Sequence, residues 1–214
     1  MQEIVPSLLS ADFSKLKQEI RAVEQAGATK LHLDIMDGHF VPNITFGPFI
    51  IQAIRKLTDL HLETHLMIEN ADKYLDKFIE AGSDTVMIHA EASRNIIRDL
   101  NYIKNKDIKA GLVINPPTAF AEIEKYMQYI DHLLIMTVNP GFGGQSMLED
   151  SLKKVKQAAK YQKQYNFKIE IDGGVNLQTI EKAAATGVDL LVAGSAIFNN
   201  NNPEEAFLKL TAKL

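Results

Sequence analysis

The sequence has 214 residues, 46% of them hydrophobic and 23% charged, which is the composition of an ordinary folded domain with a sizeable core. Its net charge of -4 and lack of a dense Lys/Arg block exclude an electrostatic basis for binding nucleic acid or an anionic membrane. Without Cys, any metal must be held by His and carboxylate side chains. With neither a signal-peptide pattern nor an apolar run of membrane-spanning length, we expect a cytoplasmic protein.

Eight strand-like apolar runs alternate with helix-like segments along the chain. The predicted strands cover residues 3–9, 30–36, 61–68, 85–89, 109–114, 132–138, 167–171 and 189–193. Between them, apolar residues recur at spacings of three and four, which is typical of amphipathic helices. Gly27, Gly82 and Gly187 stand where helices would end. Eight such units without a linker predict an α/β fold, a single (β/α)8 TIM barrel domain over residues 1–214.

An open, doubly wound parallel sheet is the alternative arrangement of the same alternation. That fold would place a glycine-rich dinucleotide-binding turn after the first strand. The corresponding stretch, "PSLLSADF", contains no glycine. The sequence therefore favours the closed barrel.

Polar residues interrupt three of the predicted strands, although strands of a helix-covered parallel sheet usually read as continuous apolar runs. The alternating polar residues are His32 and Asp34 in the second strand, His61, Glu63 and His65 in the third, and Lys168, Glu170 and Asp172 in the seventh. Side chains of a strand point to opposite faces in turn. We therefore expect each polar set to face the barrel axis and each apolar set to face the helices.

The polar residues nearest the C-terminal strand ends lie where such barrels place their chemistry. They are Asp34, His65 and Asp172, with His32 one layer deeper. Imidazoles and carboxylates this crowded would repel and desolvate one another unless they are neutralised, which a divalent cation can do. The donor set suits Zn, Mn, Fe or Co better than Mg. We predict one divalent metal ion at this position; a hydrogen-bonded polar core without an ion is the alternative.

The remaining polar residues on the predicted axis lie deeper in the barrel. We expect His61, Glu63, Lys168 and Glu170 to form internal ion pairs or to lie at the bottom face, and His39 and His132 to be structural. His89 ends the fourth strand, where it can contact either a metal ligand or a substrate. The sequence leaves that choice open.

Glycine-rich loops follow the last three predicted strands. They read "NPGFGG" at 139–144, "DGGVN" at 172–176 and "AGSAIF" at 193–198. Glycine permits positive φ and lets an anion approach backbone N–H groups closely, and a following helix adds a favourable dipole. The three adjacent loops predict one phosphate-binding pocket, close to where these barrels commonly hold phosphate.

Six stretches of the sequence together resemble the ribulose-phosphate 3-epimerase family, in order and over almost the whole chain. They are "PSLLSADF", "LHLDIMDGHFVPNITFGP", "THLMI", "MTVNPGFGGQSM", "IDGGVN" and "AGSAIF". The resemblance implies a barrel of the ribulose-phosphate-binding type that interconverts D-ribulose 5-phosphate and D-xylulose 5-phosphate in the pentose phosphate pathway, through a metal-stabilised enediolate. It also implies a homo-oligomer with one divalent metal ion (Zn, Fe, Mn or Co) per subunit.

The resemblance further implies residue roles. His32, Asp34, His65 and Asp172 would bind the metal, and the two Asp would also act as acid and base. The residues expected to contact substrate, mostly its phosphate, are Ser7, His65, Gly141, Phe142, Gly143, Gly144, Gly173, Gly174, Gly194 and Ser195. Met36, Met67 and Met136 would form an apolar collar around the reacting carbons.

Three other functions are compatible with parts of this pattern. An allulose-6-phosphate 3-epimerase would act on a six-carbon substrate, but its relatives tend to depart from "GFGGQ" and "DGGV", which this chain keeps. A decarboxylase of the same barrel group would need Lys in "HLDIMD", where His32 stands. A non-catalytic sugar-phosphate sensor would need neither the second Asp nor the metal ligands. The sequence favours the pentulose-phosphate epimerase.

Overall fold

The computed structural model describes residues 2–214, and within them eight parallel strands alternate with helices. The strands are β1 (Glu3–Pro6), β2 (Lys30–Met36), β3 (His61–Met67), β4 (Thr85–His89), β5 (Lys109–Ile114), β6 (His132–Met136), β7 (Lys168–Asp172) and β8 (Leu190–Ala193). The α-helices are α1 (Leu16–Gln25), α2 (Pro48–Arg55), α3 (Leu75–Glu80), α4 (Ile96–Lys104), α5 (Phe120–Ile123), α6 (Leu152–Tyr165), α7 (Ile180–Ala184), α8 (Ser195–Phe198) and α9 (Pro203–Thr211).

The strands form one sheet that curls into a nearly closed barrel, as predicted. From β2 to β8 each strand pairs with the next, and β8 pairs with β1. Between β1 and β2 the pairing is a single parallel bridge from Ser7 to His32. The register of β2 and β3 places Asp34 beside His65 and Met36 beside Met67. Polar positions of neighbouring strands therefore share one level of the barrel.

The alternation along the strands separates two environments. Leu31, Leu33 and Ile35 of β2 are buried in the layer between barrel and helices, where Ile20 and Val23 of α1 also lie. The intervening polar residues face the axis, as predicted. Gly27, Gly82 and Gly187 each have a positive φ and lie just after a helix, as expected of residues that end helices.

Some predicted strand ends were wrong by one to three residues. The first strand was expected to reach residue 9 but ends at Pro6, because the Ser7 side chain accepts the N–H of Leu9 and caps a 3₁₀ turn. β6 ends at Met136 rather than 138, because the Thr137 hydroxyl donates to main-chain carbonyls at the end of β7. β7 itself includes Asp172. No helix within residues 2–214 has both the length and the apolar character needed to cross a membrane.

Candidate active site

The ends of β2, β3 and β7 bring together the four predicted metal ligands. Each of His32, Asp34, His65 and Asp172 offers one donor atom, and these atoms all lie within 4.8 Å of one another. His65 Nδ1 is 3.1 Å from Asp34 Oδ1 and 3.9 Å from Asp172 Oδ2. His32 Nε2 is 3.3 Å from His65 Nδ1 and 3.4 Å from the same Asp34 oxygen. The predicted cluster therefore exists in the fold.

The donor set fits a divalent cation. Two ring nitrogens and a carboxylate oxygen share one buried space, and His32, Asp34 and His65 are almost inaccessible to solvent. Nε2 of His32, Nδ1 of His65 and Oδ1 of Asp34 lie within 3.4 Å of one another, so three potential donor atoms converge on one point. Two imidazoles with two carboxylates are a common set for Zn, Mn, Fe or Co.

The two aspartates differ in their protonation. Burial would raise the pKa of Asp34, but His32 and His65 outweigh it and hold this pKa well below its usual range. Burial, reinforced by the charge of Asp34, raises the pKa of Asp172 to about 7. Ser7 donates a 2.6 Å hydrogen bond from Oγ to Asp34 Oδ2. Near neutral pH one carboxyl is therefore ionised and the other holds a proton in part of the molecules.

A cavity lies over this cluster at the C-terminal end of the barrel. Its lining includes the two aspartates and the predicted contact residues Ser7, Met36, Met67, Met136, Gly141, Phe142, Gly143, Gly144, Gly173, Gly174, Gly194 and Ser195. His65 does not line this cavity; it is fully buried beneath it, with His32. The fold thus brings the glycine loops and the acidic pair to one opening.

Close packing explains why glycine occupies two of these loop positions. Gly173 has φ of 120°, and a Cβ there would lie 2.4 Å from a methyl carbon of Val138. Gly174 has φ of 70°, and a Cβ would lie 2.5 Å from the backbone nitrogen of Met147. These loops can fold against each other only without side chains at both positions.

Sequence reasoning missed several residues of the cavity. Ser10 and Gln145 also line it. Gln145 donates to the carbonyls of Asn139 and Phe142, which fixes the shape of the loop after β6. Gln145 could have been predicted from its position directly after "GFGG". No sequence pattern predicts Ser10, because the 3₁₀ turn after β1 brings it to the cavity.

His89 contacts a predicted metal ligand and does not line the cavity. Its Nε2 is 2.8 Å from His65 Nε2, and its Nδ1 is 3.2 Å from Glu91 Oε2. Phe40 covers the ring at a centroid distance of 4.6 Å. Of the two contacts that the sequence left open for His89, the structure therefore shows the one with a predicted metal ligand.

A second polar cluster lies deeper, on the barrel floor. His32 Nδ1 is 3.5 Å from Glu170, and His132 Nδ1 is 3.8 Å from both Glu170 and Glu63. Burial and the neighbouring Glu170 raise the pKa of Glu63 well above its usual range. Burial acts against ionisation of Glu170 too, but His132 and His32 lower its pKa overall. Glu63 and Glu170 thus belong to an internal polar cluster with His32 and His132, in which burial favours the protonated form of Glu63 and the histidines favour the ionised form of Glu170.

The other two residues predicted for the lower part of the barrel lie near its rim. Lys168 is 3.3 Å from Asp189 and is largely exposed. His61 Nε2 is 2.7 Å from the Thr85 hydroxyl. Both residues belong to the bottom face, as expected.

A (β/α)8 barrel with titratable side chains and glycine-rich loops at its C-terminal mouth has the architecture of a barrel enzyme. A sequence model of the ribulose-phosphate 3 epimerase family matches residues 3–198 of this chain. The chain is 45% identical to ribulose-phosphate 3-epimerase of Bacillus subtilis over 213 residues, covering 98% of both chains. It is 37% identical to the Escherichia coli K12 enzyme of that name, covering 99% of this chain and 95% of the other. The chain belongs to the ribulose-phosphate 3-epimerase family and is an isomerase.

Solved structures with lower sequence identity share the fold. A 3-hexulose-6-phosphate synthase superposes with a TM-score of 0.75 at 16% identity, covering 100% of both chains. KGPDC from Streptococcus mutans gives a TM-score of 0.71 at 15% identity, covering 100% of this chain and 97% of the other. At such identities these neighbours show the barrel and nothing about the reaction.

Proposed function

We propose that the protein is a metal-dependent epimerase that interconverts D-ribulose 5-phosphate and D-xylulose 5-phosphate by proton transfer at C3. The observation that carries this proposal is the pair Asp34 and Asp172, which line one cavity with different protonation. The relatives of the same name over nearly the whole chain support the choice of substrate.

Epimerisation requires a base on one face of C3 and an acid on the other. The ionised aspartate removes the C3 proton, the C–H electron pair forms a C2–C3 double bond, and the C2 carbonyl becomes an enediolate oxygen. The protonated aspartate then returns a proton to the opposite face, and the carbonyl re-forms. Because β2 and β7 approach the cavity from different sides, Asp34 and Asp172 suit these two roles, which exchange with the direction of reaction.

His32, Asp34, His65 and Asp172 would hold the divalent cation. When bound, the cation would supply positive charge against the negative charge that develops on the substrate oxygens, an effect of several kcal/mol. Ser7 orients Asp34 through its hydrogen bond. Met36, Met67 and Met136 give the cavity an apolar wall that excludes water without adding competing acids.

The glycine loops after β6, β7 and β8 are proposed to bind the substrate phosphate through backbone N–H groups. A six-carbon ketose phosphate is the competing substrate, since the same loops would accept its phosphate. The pentulose is favoured because this chain keeps "GFGGQ" and "DGGV".

Hydrogen exchange at C3 in deuterated water tests the reaction. We expect deuterium at C3 of both ketopentose phosphates without bond cleavage, and a lower kcat/KM for the hexulose phosphate. Mass spectrometry of the recovered sugars measures both. Absence of C3 exchange in metal-loaded protein would refute the epimerase proposal. A higher kcat/KM for the hexulose phosphate would mean that the protein is an allulose-6-phosphate 3-epimerase instead.

We further propose that the protein is a homo-oligomer. Three apolar side chains near the β2–α2 connection are exposed: Ile44 at 74%, Phe49 at 73% and Phe13 at 44%. Apolar surface gathered in this way is typical of an association surface. Sedimentation velocity should show more than one subunit, and Ile44→Lys combined with Phe49→Lys should yield monomers. A monomeric wild-type protein would contradict this assignment.

A further inference from the structure

The two nitrogens of His65 face different partners. Nδ1 points into the predicted metal cluster, 3.1 Å from Asp34 Oδ1. Nε2 points away from it, 2.8 Å from Nε2 of His89. His89 Nδ1 then lies 3.2 Å from Glu91 Oε2. The chain from Asp34 to Glu91 thus has carboxylates at both ends and two buried imidazoles between them.

The protons in this chain can be counted. Three gaps need a bridging cation or proton: Asp34 to His65, His65 to His89, and His89 to Glu91. Two neutral imidazoles carry two ring protons. If Glu91 accepts the Nδ1 proton of His89, then His89 Nε2 is an acceptor and His65 must donate from Nε2. His65 then supplies no proton to the gap beside Asp34, and its Nδ1 presents a lone pair there, 3.3 Å from Nε2 of the predicted ligand His32.

Glu91 is held in place from its other side. Its Oε1 accepts the N–H of Asn115 at 2.8 Å and the hydroxyl of Thr118. Burial would raise the pKa of Glu91, but the hydrogen bonds from His89, Thr118 and Asn115 outweigh it and lower this pKa to about 2. A fixed, ionised carboxylate at this end of the chain can only accept a proton from His89.

We propose that His89 and Glu91 are positioning residues that hold His65 in the Nε2–H tautomer, with Nδ1 directed at the metal. A metal-binding imidazole commonly donates its second N–H to a carboxylate or another acceptor, which fixes its tautomer and ring orientation. Here the acceptor is a second histidine, and the carboxylate lies one ring further away. This inference rests on the proposed metal site and extends it by two residues.

Glu91 accepts hydrogen bonds on both carboxylate oxygens, and the single amide oxygen of Gln cannot replace both of them. The amide oxygen is needed at Asn115 and Thr118, which both donate. The amide NH₂ would then face His89 Nδ1 and favour the opposite His89 tautomer, with its proton on Nε2. That proton would meet the Nε2 proton of His65 and favour His65 with Nδ1 protonated, which competes with a metal. Glu91→Gln is therefore expected to weaken metal binding although it preserves size.

Zinc affinity, measured by competition with a chromophoric chelator on the full-length protein, tests the relay. We expect Glu91→Gln and His89→Leu to weaken binding by about 10-fold to 100-fold. His89→Gln keeps an acceptor for His65 and should bind more tightly than His89→Leu. Thr118→Val is the matched control, because it removes one of the two hydrogen bonds at Oε1 of Glu91 but keeps the carboxylate and its contact with His89. Its loss of zinc affinity should be smaller than that of Glu91→Gln.

The ring tautomers provide a second readout, by long-range ¹H–¹⁵N correlation in the zinc-loaded protein. His89 should carry its proton on Nδ1 and His65 on Nε2. The relay is refuted if His89 carries its proton on Nε2, if Glu91→Gln and His89→Leu bind zinc like wild type, or if Thr118→Val loses as much affinity as Glu91→Gln. Wild-type protein that binds no zinc would instead refute the proposed metal site itself. Far-UV circular dichroism confirms that each variant is folded.

Discussion

The mouth and the floor of the barrel are built from the same alternation on the same strands, yet they differ in what they can do. At the mouth, the carboxyls of Asp34 and Asp172 line a cavity. On the floor, Glu63 and Glu170 are fully buried, and both lie 3.8 Å from His132. His32 joins the two levels, with Nε2 at the mouth and Nδ1 at the floor. Depth, rather than the presence of titratable residues, separates the accessible cluster from the enclosed one.

Removal of metal from the mouth should have the largest effect on turnover. We expect chelation to abolish turnover and Zn, Mn, Fe or Co to restore it, because the proposed enediolate would lose its stabilising charge. A coupled assay of pentulose-phosphate interconversion measures the loss and recovery. Full turnover in protein shown to be metal-free would instead identify the mouth as another polar core, like the floor.

Substitution of either mouth carboxyl should have the next largest effect. Asp34→Asn and Asp172→Asn are each expected to fold normally and to lower kcat by about 10² to 10⁴-fold, since each removes a proton-transfer group. Steady-state kinetics with a thermal melt of each variant separates loss of chemistry from loss of fold. Near-wild-type kcat in either variant would rule out a scheme with two aspartates.

Substitutions on the floor should change stability more than chemistry, and the two carboxyls should differ. Glu170→Gln is expected to lower the free energy of unfolding by about 3 kcal/mol, because it leaves buried histidines without their ionised partner. Glu63→Gln should cost less than about 1 kcal/mol, since Gln resembles a protonated carboxyl in size and in its lack of charge. Urea titrations measure both values. Equal costs would mean that the floor does not contain one protonated and one ionised carboxyl.

Much of the site could be predicted because it follows from alternation along single strands. His32, Asp34, His65 and Asp172 fall on one phase of their strands, and parallel pairing brings that phase to one level. The glycine loops were equally readable, because each directly follows a strand. Their roles in binding remain predictions.

The residues behind the site could not be assigned from the sequence, for a geometric reason. The contact between His89 and His65 crosses from β4 to β3, and it depends on strand register and on ring orientation rather than on spacing. Glu91 lies in the loop beyond β4, where no periodicity applies. The end of β1 could not be predicted either. The apolar run continues past Ser7, but the Ser7 side chain caps a turn and ends the strand.

The seam between β1 and β2 has a mechanical consequence. All remaining pairs of neighbouring strands are paired along several residues, but β1 and β2 are connected by one bridge, from Ser7 to His32. The Ser7 hydroxyl also donates a hydrogen bond to Asp34. The least extensive strand pairing of the barrel, between β1 and β2, is therefore next to the proposed catalytic residue Asp34. Warming should loosen that pairing before the helices melt, so inactivation would precede unfolding.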